Sequence, residues 1–584
     1  MIRFKNLRNY RHACLGTALS LLAVLTSSGG LAASPVPEGW VGTATLAHKV
    51  QNAMDNGEMR AGELVHITLS LKLRNKDKLD ALLIGNSQTG TSPPPLTPSQ
   101  VLSQFAPTEA DARSVADYLT SSGFTNVNIA PNRLLIEADG TAGLIKAAFK
   151  AELHHFLTSD GRNVYANTTA AQTPAHLGAI VLAVHGLQTV HVAHGNVKPL
   201  TDQPQSIEQV QTNIDLRNLL PKVQPVLPKD FSKIYGADTL PRATNAPLAI
   251  LLDGLPKQTL TDLQAFADAN QIARPNVQTV NVGSPVENPE SLLEWNMDTQ
   301  VALSTAGGAV KSMILYNVPS LTHANMLKGF NRIVSDNLAR AVNYSGGNCE
   351  MYAVDDGYMA ALDQILEIGF LQGQTFAIAS GDDGAYDCQD NPDYRNSKTV
   401  DYPAASPYVI AVGGTTLKTK DGGTTWSDET AWSCSGSADC AGHGGGGGVS
   451  TLEPPPLPQI IYLHNLKRSV PDISFDASPK SGAYVLVNGK YRVLGGTSLA
   501  APIFTGFWAR LQSYFGNSLP SPIGRLYLNK IKKAVFRDVT SGNQGYAAAP
   551  GYDFATGWGS LQVGNLASII AMPICNIPFY PICF

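Results

Sequence analysis

The sequence predicts an α/β protein in which a parallel sheet is covered by helices on both faces, preceded by a smaller α+β domain. Two observations lead to this prediction. Between about residues 227 and 515, short apolar stretches alternate with amphipathic helical stretches, an order typical of a parallel sheet. Upstream, residues 35–193 show a separate β-α-β-β-α-β order with its own apolar faces.

Length and composition agree with a protein of more than one domain. The chain has 584 residues, of which 43% are hydrophobic and 15% charged, values typical of compact globular proteins. Its formal net charge is −4. Because the chain has neither a basic excess nor an acidic tail, we expect no nucleic-acid partner.

Residues 1–33 are predicted to be a secretory signal peptide. Basic residues between Arg3 and Arg11 precede an apolar run from Cys14 to Thr26, and small residues follow up to Ala33. A membrane anchor is the alternative, but the apolar run is too short to span a bilayer. We therefore expect a secreted protein, extracellular or periplasmic, with no membrane partner.

The next segment, residues 34–195, is predicted to be a ferredoxin-like α+β domain. A strand alternates over residues 65–73, and an amphipathic helix follows over 109–122. Two strands over 127–129 and 134–137 and a second helix over 141–153 come next, and residues 163–167 lead to a further strand. This order gives one sheet with two helices packed against it.

Residues 196–226 are predicted to be an exposed linker, because they are rich in Gln, Pro and Asn. The α/β domain then spans residues 227–584. Its strands are predicted at residues 248–252, 277–282, 312–318, 341–344, 375–379 and 408–412, and its helices at 259–269, 291–305, 324–339 and 357–371.

Ser498 is a candidate nucleophile. It follows Gly495 and Gly496 where a predicted strand ends, and an amphipathic helix begins beside it. The glycines permit a sharp turn and close approach of a substrate chain, and the positive end of the helix favours negative charge nearby. A serine that merely caps the helix is the ordinary alternative.

Glu294 and Asp298 form a candidate acid–base pair. They are four residues apart in the helix predicted over residues 291–305, so they share one helix face. Two acidic residues on a helix usually face solvent. The apolar residues around this pair instead favour burial of the acidic face.

Asp382 is the third candidate carboxyl group. It follows Ser380 and Gly381 directly after the strand predicted over residues 375–379. The carboxyl edge of a parallel sheet is where such folds bind their ligands. A plain loop is the alternative for this turn.

In this order, Glu-x-x-x-Asp, Ser-Gly-Asp-x-Gly and Gly-Thr-Ser-x-x-x-Pro resemble the sedolisin family of serine-carboxyl peptidases. The resemblance covers most of the chain and implies a subtilisin-like fold. It also implies Ser498 as nucleophile, Glu294 as its general base, Asp298 as the residue that orients Glu294, and Asp382 as oxyanion-hole donor.

The N-terminal domain resembles the propeptide of the same family. This resemblance implies a self-processing zymogen, inhibited by its own propeptide until a bond within residues 196–226 is cut. We expect protein or peptide substrates and a monomeric enzyme.

Carboxyl groups in these roles predict acid activity. Two close carboxyl groups resist double ionisation and share a proton. A carboxyl group donates a hydrogen bond to an oxyanion only as the neutral acid, which an apolar environment favours. The enzyme is therefore expected to work in acid and to lose activity towards neutrality.

The resemblance also implies one structural Ca²⁺ site. Asp538 and Asp553 would bind through carboxylates, and Val539, Ala549 and Gly551 through carbonyl oxygens. These hard oxygen donors in loops are the ligands that calcium prefers.

Six cysteines follow the predicted signal peptide, an even number that suits an exported protein. Cys434 with Cys440 and Cys575 with Cys583 are the natural local pairs, which leaves Cys349 with Cys388. The resemblance to bacterial sedolisins supports this last pair.

Two alternatives remain open at this point. One is a subtilisin-type serine peptidase that uses an unrecognised histidine, although no His-Gly-Thr sequence is present. The other is a non-catalytic secreted binding protein on the same fold. The joint presence of Glu294, Asp298, Asp382 and Ser498 argues against it.

Overall fold

The computed structural model describes residues 39–88, 95–195, 197–200, 204–206, 208–210, 220–433, 442–527, 532–571, 575–577 and 580–583. The predicted signal peptide, residues 1–33, lies outside this part of the chain. Within the same part, no helix combines the length and apolar character needed to cross a bilayer.

The N-terminal domain has the predicted ferredoxin-like order. Its antiparallel sheet runs Thr125–Ile129, Leu135–Thr141, Leu64–Leu71, Val181–His185. Helices Glu109–Ser121 and Ala142–Phe149 share one apolar core with Ile67, Leu69 and Leu71 of the sheet. The first helix begins at a capping box, since Thr108 and Asp111 bond each other's backbone amides.

The second helix of this domain is shorter than predicted. It ends at Phe149 rather than at residue 153, because Lys150 adopts a left-handed φ of 57° that interrupts helical hydrogen bonding. Leu153–Thr158 is instead a strand, which pairs with Ala53–Glu58 and Asn163–Asn167 in a separate three-stranded sheet.

The central sheet confirms the predicted α/β class. Within the described residues it has nine strands. Those joined by parallel pairing are Val277–Asn281, Val310–Val318, Ala243–Asp253, Ala341–Tyr344, Thr375–Ala379, Ile410–Lys420 and Ile473–Asp476. Three of the nine strands lie outside the prediction. Ile473–Asp476 pairs parallel with Ile410–Lys420, whereas Lys222–Val223 and Thr425–Ala431 pair antiparallel with it, so the sheet is mixed.

Helices cover both faces of this sheet, as predicted. Strand Ala243–Asp253 shows why, because successive side chains point to opposite faces. Its residues Leu248 and Ile250 join a core that includes helices Lys257–Ala269, Leu292–Thr305 and Thr497–Tyr514. Ala249 and Leu251 join the opposite core, with helices His323–Asp336 and Tyr358–Leu371.

Helix His323–Asp336 is shorter than the predicted span of 324–339, because Asn337 adopts a left-handed φ of 46°. Hairpin Ala483–Val487 and Lys490–Gly495 leads into the helix that carries Ser498. The remaining helices are Lys76–Gln88, Pro98–Gln104, Leu457–Leu463, Ile523–Tyr527, Lys532–Val535 and Val563–Ala571. Short antiparallel pairs join Gly346–Cys349 to Asp401–Tyr402, Gly448–Val449 to Ser469–Val470, and Phe536–Arg537 to Ser560–Leu561.

The expectation of an exposed linker over residues 196–226 is wrong for several of its residues. Val210 and Val226 are buried. Val210 packs with Tyr484 and Tyr491 of the hairpin that precedes Ser498. The Gln- and Pro-rich composition did not reveal these contacts, because single apolar residues in a polar segment give no periodic pattern.

Candidate active site

Ser498 lies in the first turn of helix Thr497–Tyr514, directly after the strand Lys490–Gly495. The turn depends on Gly496, whose φ of +102° is one that other residues rarely adopt. The serine is buried, and its Oγ donates a hydrogen bond to the Ser345 carbonyl oxygen at 3.2 Å. The sequence prediction of strand, glycine turn and helix is therefore confirmed around this residue.

Glu294 is buried on helix Leu292–Thr305, with 2% of its surface exposed. Burial raises its pKa well above the usual value, and the charges of Asp298 and Asp382 raise it further. Within the described residues neither carboxyl oxygen has a hydrogen bond of standard geometry. The Ser498 hydroxyl and the Val197 backbone nevertheless lie near enough to oppose the rise in pKa.

Asp298 is fully buried on the same helix face as Glu294, as their spacing predicted. Its Oδ1 accepts a hydrogen bond from Ser345 Oγ at 2.6 Å, and Asn343 Nδ2 donates to that Oγ at 3.0 Å. Burial raises the pKa of Asp298 well above its usual range, and these hydrogen bonds oppose the rise. Glu294 and Asp298 are thus two buried carboxyl groups that favour sharing a proton.

Sequence reasoning missed Asn343 and Ser345 as partners of this pair. Both lie at the carboxyl end of strand Ala341–Tyr344, the same sheet edge as Asp382. Asn343 is held in turn by Thr505, whose hydroxyl donates to its Oδ1 at 3.1 Å. The position of a polar pair at a strand end was the signal that could have identified them.

Asp382 follows strand Thr375–Ala379, as predicted, and is bound through one oxygen only. Its Oδ1 accepts from the backbone amide and from the hydroxyl of Thr497, both at 2.8 Å. Its Oδ2 is buried without a hydrogen-bond partner among the described residues. Burial raises the pKa of Asp382 to about 7, although Lys198 and Thr497 oppose the rise. Below that pH the neutral acid has an O–H to donate.

The segment that leaves the N-terminal domain passes through this site. Its residues His194–Gly195 pair antiparallel with Gly346 and Gly347, directly after Ser345. Farther along, Lys198–Pro199 pairs antiparallel with Leu494 and Gly495, just before Ser498. An extended chain paired with strands in this way is bound as peptides are bound by strand addition.

Gly195 is in direct contact with Glu294. A Cβ atom built on Gly195 would lie only 2.4 Å from Glu294 Oε2, closer than real Cβ contacts. The segment therefore fits against the candidate base only because residue 195 has no side chain. Access to Glu294 is blocked from this side while the segment stays in place.

A disulfide joins Cys349 to Cys388, which confirms that predicted pair. It links strand Gly346–Cys349 to the segment that follows Asp382. Cys434 and Cys440 lie outside the described residues. The backbones of Cys575 and Cys583 lie opposite each other in an antiparallel pair, but their side chains are not described, so both remaining pairs stay predictions.

The loops predicted to bind calcium come together in the structure. Asp538 Oδ2 accepts from the Gly551 amide at 2.9 Å, and Asp553 Oδ2 accepts from the Ala549 amide at 2.8 Å. Val539 follows Asp538 and is buried. Two carboxylates in one loop system supply hard oxygen donors of the kind that calcium prefers. The ligand set itself remains a prediction.

Comparison with known proteins gives two family matches. The Pro-kumamolisin activation domain matches residues 51–190, and the Subtilase family matches residues 295–559. The first match lies within the predicted N-terminal domain. The second includes Asp298, Asp382 and Ser498.

Curated relatives match over most of the chain. Sedolisin of Pseudomonas sp. (strain 101) is 39% identical over 578 residues, which cover 94% of this chain and 96% of the relative. Xanthomonalisin of Xanthomonas sp. (strain T-22) is 39% identical and covers 87% of this chain and 66% of the relative. Kumamolisin of Bacillus sp. (strain MN-32) is 27% identical and covers 87% of this chain and 92% of the relative.

A solved structure of Pseudomonas sedolisin, complexed with two molecules of pseudo-iodotyrostatin, is also similar. It has 39% sequence identity and a TM-score of 0.57, and the match covers 60% of this chain and 98% of that chain. The likeness supports the subtilisin-like fold predicted for the second domain.

Proposed function

Because this chain belongs to the sedolisin family and is a serine-type peptidase with a propeptide domain, we propose that it is a secreted acid endopeptidase that processes itself. The observation that carries this proposal is the passage of the inter-domain segment between Ser345 and the strand before Ser498, in contact with Glu294. The segment occupies the position that the site would give to a substrate chain.

In the first step of the proposed mechanism, Ser498 is the nucleophile and Glu294 is the general base. The Ser498 hydroxyl proton passes to the Glu294 carboxylate while Oγ forms a bond to the substrate carbonyl carbon. Asp298, held by Ser345, shares the remaining proton and orients Glu294. Protonated Glu294 then returns its proton to the leaving amine as the C–N bond breaks, which leaves an acyl-enzyme for water to hydrolyse.

Asp382 is the proposed oxyanion donor. Thr497 fixes its Oδ1, so the proton of the neutral acid resides on Oδ2, the oxygen without a partner among the described residues. A preorganised donor of this kind stabilises the tetrahedral oxyanion by roughly 3–4 kcal/mol. The donor is lost when Asp382 ionises.

The proposed pH range follows from these requirements. Asp382 has to be neutral, and its pKa of about 7 keeps it so in acid. The buried pair Glu294 and Asp298 has to carry one negative charge. Burial raises the pKa values of both groups, so the pair gains this charge only at a pH high enough for it to release one proton. Activity is therefore expected in acid and is lost as pH rises through about 7.

We infer that self-cleavage cuts one of the bonds between residues 195 and 198, since the two paired segments flank Ser498 there. The predicted signal peptide at residues 1–33 and the Cys349–Cys388 disulfide support export before processing. The loops around Asp538 and Asp553 are proposed to bind one Ca²⁺ ion.

Acidification of the purified full-length chain tests the proposal. We expect the parent to convert to a shorter form, with a new N-terminus between residues 196 and 198 by mass spectrometry. Ser498→Ala and Glu294→Gln should remain full length under the same conditions. Conversion of both variants at the parental rate would exclude the assignment.

A further inference from the structure

A group of histidines lies where the N-terminal domain contacts the peptidase domain. We define the histidine cluster as His48, His185 and His191 of the N-terminal domain with His323 of the peptidase domain. Each of the four interacts electrostatically with Asp356, which lies in the turn before helix Tyr358–Leu371. The proposed catalytic chemistry uses none of them.

Asp356 is the acceptor that joins the two domains here. Its Oδ2 lies 2.8 Å from His323 Nδ1 and accepts a hydrogen bond from Gln188 Nε2, also at 2.8 Å. The His323 ring stacks on Tyr358 at 4.2 Å between centroids. One carboxylate thus binds a side chain from each domain, and it is almost fully buried.

His185 lies on the face of the N-terminal sheet that meets the peptidase domain. Ala183, two residues earlier on strand Val181–His185, approaches Gly357 so closely that a Cβ built there would lie 2.7 Å from the alanine Cβ. His185 Nε2 is 2.9 Å from Ser70 Oγ, and its buried Nδ1 has no hydrogen-bond partner among the described residues. The backbone and the charge of Asp356 lie near enough to oppose the effect of burial, which nevertheless disfavours a second proton on this ring.

His48 and His191 extend the cluster. The His48 ring is 4.8 Å from the His191 ring, which stacks on Tyr352 of the peptidase domain at 3.9 Å. His48 is 6% exposed, and neither of its nitrogens has a hydrogen-bond partner within the described ranges. Buried polar atoms without partners are costly and rare.

We propose that the histidine cluster is an acid-sensitive latch, in which protonation of His48, His185 and His191 weakens docking of the N-terminal domain and opens the cleft. This inference rests on the proposed function as a zymogen. The charged and titratable groups outside the three rings that act on them are His323, Asp356 and, for His191, Arg162. Asp355 acts on Asp356. Positive charges on the three protonated rings would have only the Asp356 carboxylate to stabilise them, and this carboxylate already binds His323. Arg162 would also repel the charge on His191.

The sign of the effect follows from linkage. Burial lowers the pKa of His185 to about 4, and burial also lowers the pKa values of His48 and His191. A histidine that is released to solvent has a pKa of about 6.5, so the undocked form binds more protons. Docking is therefore strong above about pH 6.5 and weakens as pH falls, by about 100-fold near pH 4.5 for His185 alone.

Other contacts across the same interface also respond to pH. Lys76 Nζ is 2.7 Å from Glu367 Oε1, and this contact weakens if Glu367 is protonated. Lys328 Nζ is 3.4 Å from Glu137 Oε2, a carboxyl that also contacts His66. Glu137 of the same domain raises the pKa of His66, whereas burial and the charge of Lys328 across the interface lower it. Protonation of His66 therefore disfavours docking and acts in the same direction as the latch.

Hydrogen exchange on the full-length Ser498→Ala chain tests the latch without any cleavage. The readout is exchange of strand Val181–His185 and of helix Tyr358–Leu371 between pH 7 and pH 4, corrected for intrinsic rates. The test variant combines His48→Phe, His185→Gln and His191→Phe, which keep ring stacking and the Ser70 hydrogen bond but cannot titrate. His176→Gln, at an exposed site of the same domain, is the matched control.

We expect interface exchange in the Ser498→Ala chain to rise with a midpoint between pH 6.5 and 4. The triple variant should move that midpoint down by at least about one pH unit, and His176→Gln should not move it. An unchanged midpoint in the triple variant would assign the response to groups outside the histidine cluster and overturn the latch. If the triple variant does not fold, His48→Phe alone should give a smaller shift in the same direction, and no shift would likewise overturn it.

This readout is independent of peptidase activity. If the Ser498→Ala chain still converted in acid, the proposed function would be overturned. The exchange midpoints would still test the latch. The reverse outcome, conversion that depends on Ser498 with an unchanged midpoint in the triple variant, would overturn only the latch.

Discussion

At the scale of single residues, the site is a set of carboxyl groups whose burial sets their protonation. Asp382 shows this most directly, since one oxygen is fixed by Thr497 and burial raises its pKa to about 7. Glu294 and Asp298 are buried on one helix face, where two negative charges are unfavourable. In the proposed mechanism the protonation state of these side chains decides whether the site functions.

Replacement of Asp382 by Asn separates hydrogen-bond donation from ionisation. The amide oxygen can still accept from Thr497, and the NH₂ group takes the position of Oδ2 as a donor that does not titrate. We expect Asp382→Asn to keep activity above pH 7 relative to its own maximum, whereas Asp382→Ala loses about 10²–10³-fold in kcat. Rate profiles from pH 3 to 9 measure both.

Asp428→Asn, at an exposed position of strand Thr425–Ala431, is the control and should keep the parental profile. A decline of Asp382→Asn activity at the parental pH would show that another group controls the loss at neutrality.

Ser345 is predicted to act by positioning Asp298. Ser345→Ala removes the 2.6 Å hydrogen bond to Oδ1, and a hydrogen bond to a charged group contributes about 1.5–3 kcal/mol. We expect kcat to fall by about 10–100-fold with little change in KM, and the acid side of the pH profile to move up as the pKa of Asp298 rises. Steady-state kinetics at several pH values and the Tm of the variant measure these effects. A lower Tm without a shift of the pH profile would show a purely structural role.

At the scale of elements, three strand ends build the cleft. Ser345 follows strand Ala341–Tyr344, Asp382 follows strand Thr375–Ala379, and Ser498 follows strand Lys490–Gly495. The inter-domain segment pairs with residues beside the first and the third of these ends. The cleft therefore binds backbone by strand pairing, and Glu294 leaves no room for a side chain at residue 195.

A side chain at residue 195 is expected to slow self-processing. The Cβ of Gly195→Val would lie 2.4 Å from Glu294 Oε2, so either the segment or the base has to move. We expect at least about a tenfold slower conversion of the full-length chain in acid, because small displacements of a base cost large factors in rate. Gel densitometry over time measures the conversion.

Gly42→Val is the control for the Gly195 variant, since a Cβ there meets no atom within 4 Å. Equal rates for the two variants would mean that the segment leaves Glu294 before cleavage and reaches the site in another register.

At the scale of the whole molecule, one chain combines an inhibitory domain, a catalytic domain and a segment that passes through the cleft. The N-terminal sheet meets helix Tyr358–Leu371, and Asp356 joins the two domains through His323 and Gln188. Towards the C-terminus, the loop region of Asp538 and Asp553 contacts strand Ile473–Asp476, since the Ser474 amide donates to the Gly559 carbonyl at 3.0 Å.

Calcium removal is predicted to destabilise the whole protein. An ion present at 100 times its Kd stabilises the folded state by about 2.7 kcal/mol, which corresponds to a Tm lower by several degrees without it. We expect EGTA to lower the Tm of the Ser498→Ala chain in calorimetry and added Ca²⁺ to restore it.

The double variant Asp538→Asn, Asp553→Asn should show the lower Tm and no response to either reagent. Asp428→Asn, an exposed acidic residue on the peptidase domain, should behave as the parent. A double variant that still responds to Ca²⁺ would place the ion elsewhere.

The sequence by itself determined the α/β class, the ferredoxin-like order and the four candidate side chains. Apolar periodicity marks strands and helices, and short local patterns such as Gly-Thr-Ser at a strand end carry their own geometry. The predicted ends of two helices were too late in the chain, because Lys150 and Asn337 end these helices through left-handed φ values. The apolar periodicity used for the prediction does not report such values.

Only the tertiary structure decided which groups act on each other. Ser345 lies 47 residues from Asp298, Thr497 lies 115 residues from Asp382, and Gly195 lies against Glu294. Contacts over such separations depend on how sheet, helices and domains pack, and no periodic pattern in the chain records them. The pKa values follow the same rule, because burial and neighbouring charges exist only once the chain has folded.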